Sequence, residues 1–134
     1  MVQAGASTYR CSGARQFAFG AASEFDALLD EADVVISHGG IGTLLPALRR
    51  GKHVIAIPRL RRHGEHHNDH QVEVCAELAR MGVLHTSTSV DDLGLLLARD
   101  RSDLCPFDPP STLVTQVRAD LLAFARALRS TGHP

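Results

Sequence analysis

Apolar residues along this chain fall into short continuous runs, separated by stretches in which they recur at helical spacing. Val34-Val35-Ile36 is unbroken from Asp33 to Ser37, and His53-Val54-Ile55-Ala56-Ile57-Pro58 repeats the pattern with proline as its stop. Unbroken runs of this length predict strands covered on both faces of a parallel sheet. Between them, Thr43 to Arg50 reads as a helix ended by Gly51. Upstream, Val2 to Ala4 and Phe17 to Phe19 predict brief strands around a loop from Gly5 to Arg15. Ser23, followed by Glu24 and Asp26, predicts the cap of a helix reaching Glu31.

Downstream the rhythm continues. A polar loop from Arg59 to Asn68 leads to a helix from Asp69 to Met81, stopped by Gly82, and to a strand from Val83 to Thr86. Helices are predicted over Val90 to Ala98 and Ser111 to Arg129, the second with Leu113, Val117, Leu121, Leu122, Ala125 and Leu128 on one stripe. Strands alternating with helices predict an α/β, Rossmann-like fold, a parallel sheet with helices on both faces. The whole chain, 1–134, is expected to be a single domain, with its core in 2–87 and C-terminal helices in 89–129.

In such sheets ligands lie beyond the carboxyl ends of the strands, which selects Ser37 to Thr43 and Pro58 to Gln71. Gly39, Gly40 and Gly42 let the main chain approach a ligand closely, and the following helix offers unpaired N–H groups with a partial positive charge. A nucleotide diphosphate suits that turn. The plainer alternative is a strand-to-helix turn that needs glycine in any case, with Ser37, His38 and Thr43 as helix caps.

The second loop carries Arg59, Arg61, Arg62, His63, Glu65, His66, His67, Asn68, Asp69, His70 and Gln71, groups that suit hydroxyls and phosphate oxygens. His66 and His70 are spaced to share a helix face, but with no cysteine nearby the histidines read as polar lining rather than metal ligands. The arginines fit either a solvated basic face or contact with a phosphate or acidic substrate.

Composition narrows the classes. With 134 residues, 44% hydrophobic, 22% charged and a formal net charge of −1, the chain has no global field to draw it to nucleic acid or anionic lipid. Cys11, Cys75 and Cys105 form no close pair and read as reduced structural thiols. No apolar run nears the roughly 20 residues that span a bilayer, and Met1 to Gly5 does not open like a secretory signal, so a cytoplasmic chain without a transmembrane segment is expected.

Ala32-Asp33-Val34-Val35-Ile36-Ser37-His38-Gly39-Gly40-Ile41-Gly42-Thr43, together with Pro58-Arg59-Leu60, Glu65-His66 and Asn68-Asp69-His70-Gln71, resembles the glycosyltransferase family 28 C-terminal domain. Within that family the chain looks like small bacterial exopolysaccharide glycosyltransferase subunits of the PssE type and like the cytosolic catalytic subunit of the eukaryotic enzyme that adds the second N-acetylglucosamine to a dolichol-linked sugar, and more distantly like MurG. The resemblance covers about Val2 to Ser87. It implies the donor-binding, C-terminal half of a GT-B architecture and a UDP-sugar donor, with no metal or other cofactor. A membrane-anchored partner subunit would bind the acceptor and hold this chain at the inner face of the plasma membrane.

Carried over by position, Ser37, His38, Gly39, Gly40, Gly42 and Thr43 would face the diphosphate and ribose, and Asn68, Asp69, His70 and Gln71 the donor sugar. His38, Glu65 and Asp69 are the candidates for a catalytic base by chemistry alone. The implied function is transfer of a sugar to a lipid-linked or glycan acceptor in exopolysaccharide or cell-envelope synthesis.

Two departures qualify the likeness. Pro46 stands where relatives carry a ribose-binding glutamate, a place expected to fall in the first helical turn, where proline is tolerated. The opening βα unit of such domains is not found before Val2, so a central strand is expected to be missing and its neighbours to have unpaired edges. The alternative is a non-catalytic accessory subunit that stabilises or activates a partner transferase. A metal- or nucleotide-binding regulatory module is a third reading.

Overall fold

The computed structural model describes residues 1–108; the helix expected over Ser111 to Arg129 lies outside them. The elements in order are β1 (Val2–Gln3), β2 (Gln16–Phe17), α1 (Ala22–Glu31), β3 (Val34–Ser37), α2 (Ile41–Arg49), β4 (His53–Ala56), α3 (His70–Arg80), β5 (His85–Thr86) and α4 (Leu93–Leu97). Among the described residues every strand pairing is parallel. β1 pairs with β2, while β4 lies between β3 and β5, with Val35 opposite Val54 and Ile55 opposite His85. The fold is α/β and Rossmann-like, as the alternation of runs predicted.

All four residues of β4 are buried, which is why Val54, Ile55 and Ala56 follow one another without polar alternation, His53 being the buried polar exception. β3 differs: Val35 and Ser37 are buried, but Val34 is 37% and Ile36 50% exposed. The unbroken apolar run thus overstated its covering. Leu44, Ala47 and Leu48 of α2 pack with Leu78 and Cys75 of α3 and with Val35, Val54 and Ala56 of the sheet to form the core. Gly51 (φ +63°) and Gly82 (φ +71°) end α2 and α3. After each, a backbone bond closes the turn, from Lys52 N–H to the Ala47 carbonyl and from Val83 N–H to the Leu78 carbonyl.

Among the described residues β3 pairs only with β4. The Asp33 and Ser37 carbonyls accept N–H groups of His53 and Ile57 on the β4 side. By the alternation of a parallel ladder, Val34 and Ile36 direct their backbone groups to the other edge. There a groove of about 950 Å³ runs between β3 and β1, lined by Val2, Gln3, Val34 and Ile36 among others.

Several boundaries move for local reasons. α1 begins at Ala22 rather than after Ser23, because the Glu24 carboxylate accepts the Ala21 N–H at 2.8 Å and closes the turn from inside the helix. α2 begins at Ile41, two residues earlier than expected, because extended Gly40 (φ −70°, ψ 124°) caps it and its carbonyl accepts from Thr43 and Leu44. Pro46 therefore lies in the helix interior and not in its first turn, which corrects the expectation. It removes the N–H that would have bonded the Gly42 carbonyl. The run from Val90 opens as a 3₁₀ turn, Val90–Asp92, capped by Ser89 Oγ accepting from Asp91 N–H, before α4.

Candidate functional site

The glycine turn sits at the carboxyl end of β3 and opens α2. Gly39 holds φ +85°, a conformation side chains with a Cβ rarely adopt. Space forbids a side chain there as well. A Cβ on Gly39 would lie 2.7 Å from Cys75 Sγ and 3.5 Å from both Gln71 Cβ and Pro58 Cβ. The turn is thus pressed onto α3 and the end of β4. At Gly40 a Cβ would meet His38 Nε2 at 2.7 Å, so the imidazole folds over the turn, whereas at Gly42 it would meet nothing within 4 Å.

Among the described residues, the amides of Gly39, Gly40, Ile41 and Gly42 have no hydrogen-bond acceptor; the first bonded amide of α2 is that of Thr43, donating to the Gly40 carbonyl. Four consecutive N–H groups at a helix N-terminus form a ready anion site. The groove beside them is lined by Ser37, His38, Thr43, Pro58, Arg59 and Glu65. The His38 ring is crowded by its surroundings, and this desolvation lowers its pKa; the Arg59 charge and His66 lower it further. His38 is therefore neutral at pH 7.

The second loop proves to be held by its own polar groups. Glu65 Oε2 accepts the Leu60 N–H at 2.9 Å, and Asp69 Oδ1 the Arg61 N–H at 3.1 Å. Gln71 Oε1 accepts both the Arg59 N–H at 3.2 Å and its Nε–H at 3.4 Å. Asn68 Oδ1 accepts the His70 N–H at 3.3 Å, and His70 Nδ1 lies 3.2 Å from Glu73 Oε2. A 3₁₀ turn, Arg61–His63, closes on Gly64 at φ +71°.

Of the residues predicted to face the diphosphate, Ser37, His38 and Thr43 line the groove, with the glycine amides beside them. Of those assigned to the sugar, Gln71 is buried beneath Gly39, while Asp69 and His70 are exposed and Asn68 is half-buried. Among the base candidates, His38 and Glu65 line the groove and Asp69 does not. His66 stacks on His67, ring centroids 4.3 Å apart, and its Nδ1 accepts the Asn68 N–H. Among the described residues no three His, Cys, Asp or Glu side chains are grouped to hold a metal ion, and no helix is long and apolar enough to cross a membrane.

Sequence reasoning did not foresee the brace under the turn. Cys75, fully buried, was expected only to be structural, and its contact with Gly39 depends on how α3 docks. Burial raises its thiol pKa, so it is an inert packing group here.

Comparison with known proteins shows the family. The family model of the glycosyltransferase family 28 C-terminal domain matches residues 10–106. Over 70 residues the chain is 36% identical to the UDP-N-acetylglucosamine transferase subunit ALG13 of Yarrowia lipolytica, a match covering 52% of this chain and 34% of that protein. Over 87 residues it is 33% identical to the subunit of the same name in Debaryomyces hansenii, covering 63% and 39% respectively. The matched part is thus little more than a third of the length of these relatives.

Proposed function

Because the chain belongs to the glycosyltransferase family 28 C-terminal domain family, we propose that it binds the UDP-sugar donor of a hexosyltransferase. The observation that carries this reading is the row of four unbonded amides, Gly39 to Gly42, opening onto a groove at the carboxyl end of β3. In this reading the diphosphate docks against those amides and the positive end of the α2 dipole, which stabilise the charge growing on the leaving UDP. The groove leads away past Pro58, Arg59 and Glu65, and in this reading the sugar lies beneath the β4–α3 loop. Neutral His38 contributes hydrogen bonding and proton acceptance rather than charge. Of the base candidates, His38 and Glu65 are favoured over Asp69 by their place on the groove wall.

In this reading the acceptor belongs to a second, membrane-anchored subunit; that the two relatives are named as transferase subunits supports a partner of some kind. We place the pair at the inner face of the plasma membrane, acting on a lipid-linked or glycan acceptor in exopolysaccharide or cell-envelope synthesis. The test is titration of the ¹⁵N-labelled chain with UDP. Binding should shift the amide signals of residues 39 to 43, and Gly40→Val, which drives a side chain into His38, should abolish the shifts. Unchanged binding by that variant, with sugar transfer seen only on adding the partner, would favour the accessory-subunit reading.

A further inference from the structure

Three arginines crowd the β4–α3 loop, yet they are not equivalent. Arg61 and Arg62 are exposed, whereas Arg59 is half-buried and lines the groove beside His38 and Thr43. Among the described residues Arg59 has no carboxylate partner; the ion pairs there involve Arg50, His70 and Arg80. What holds it is an uncharged group. Gln71 Oε1 takes the Arg59 backbone N–H and its Nε–H together, and Gln71 is itself 9% exposed, wedged beneath Gly39.

From this arrangement we propose that Arg59 is the cation that contacts the outer phosphate of the nucleotide diphosphate, and that Gln71 is its positioning residue. The inference rests on the donor-binding reading above and deepens it. Gln71 touches both halves of the anion site, the Gly39 turn by packing and Arg59 by two hydrogen bonds. An amide oxygen fixes the guanidinium plane without neutralising it. The terminal nitrogens of Arg59 remain as donors in the fork geometry that matches phosphate oxygens. A carboxylate at position 71 would hold Arg59 equally well and cancel the charge that the ligand needs. The depressed pKa of His38, to which Arg59 contributes, agrees with the positive charge reaching that wall of the groove.

Calorimetric titration of the full chain with UDP, UMP and uridine tests the assignment. Arg59→Ala should weaken UDP roughly ten- to a hundred-fold, the span of one charge-assisted contact, and leave uridine and UMP within about two-fold. Gln71→Ala should weaken UDP by a smaller factor with the same selectivity. Gln71→Glu should be worse than Gln71→Ala, because it adds an ion pair that competes with the phosphate. A merely structural role for Gln71 predicts the opposite order and an equal loss for all three ligands. Should Gln71→Ala fail to fold, Arg59→Ala and Gln71→Glu still decide the matter.

Equal loss of UDP and UMP in Arg59→Ala, or unchanged UDP binding, would overturn this assignment while leaving the donor reading intact. Absence of UDP binding by the unaltered chain would overturn both.

Discussion

Replacing Gly39 by alanine is the sharpest test of how the turn is built, because two separable costs meet at one atom. The first is conformational: at φ +85° a residue with a Cβ is strained by about 1–2 kcal/mol. The second is steric. The new methyl group would lie 2.7 Å from Cys75 Sγ, and inserting a group into so tight a contact costs about 1–3 kcal/mol. Together they reach about 2–5 kcal/mol, a large share of the 5–15 kcal/mol typical of a folded domain.

Only the steric part depends on the thiol. Cys75→Ala removes the sulfur but not the backbone strain, so Gly39→Ala combined with Cys75→Ala should be less destabilised than the two single changes summed. The coupling energy expected for side chains in direct contact is about 1–3 kcal/mol. Urea unfolding of the unaltered chain, both single variants and the double variant measures it, and UDP titration of the same four proteins shows whether the turn regains its shape. A Gly39→Ala variant within about 0.5 kcal/mol of the unaltered chain would refute the strain argument. Strict additivity would refute the contact.

Gly42 makes the complementary case: a Cβ there meets nothing within 4 Å, so Gly42→Ala should stabilise α2 by about 0.5–1 kcal/mol. If the glycine serves ligand approach, the same variant should bind UDP more weakly; thermal melts and calorimetry should therefore move in opposite senses. Acid should act through His53, which is 5% exposed with Nε2 unbonded, its ring edge-on to His85 at 5.2 Å. Burial, then His85 and Arg101, lower its pKa against the opposing pull of Asp100. Because the folded-state pKa lies below the ordinary value near 6.5, the unfolded chain takes up the proton first. Stability is then fully present above about pH 6.5 and is lost as pH falls toward the folded value, at no more than about 1.4 kcal/mol per pH unit. Melting temperatures between pH 7.5 and 5.5 should fall less steeply in His53→Gln than in the unaltered chain.

The alternation of elements was legible because β4 and the two glycine-ended helices obey local rules. An unbroken apolar run, a left-handed glycine and a helix-spaced stripe each need only their neighbours in sequence. The start of α2 was not legible, because Thr43 looks like a cap, while extended Gly40 two residues before the helix's own Gly42 does the capping with its carbonyl. Nor did the run Val34 to Ile36 tell that one side of β3 lies open, since apolar character reports what a strand can cover and not what covers it. The place of the glycine turn, between the carboxyl end of β3 and the start of α2, was legible from composition and order. Its brace by Cys75 and Gln71 was not, because those residues come from a helix whose docking is a tertiary fact.

The β4–α3 loop shows why residue type alone misleads about chemistry. Glu65, Asp69 and Gln71 look like groups waiting for a sugar, yet each spends an oxygen on a backbone amide of residues 59 to 61. A loop with three basic residues in four positions has little apolar content to fold it, so its backbone donors are satisfied by these side chains instead. The consequence reaches the groove. With these acceptors engaged, what the anion end offers freely is donors, namely the glycine amides and the Arg59 guanidinium beside a neutral His38. Glu65 keeps a second oxygen while lining the wall, so it can bind a hydroxyl without releasing Leu60. A groove divided in this way has donors at one end and a remaining carboxylate oxygen at the other, the polarity that the proposed binding of an activated sugar, laid from α2 toward the loop, requires.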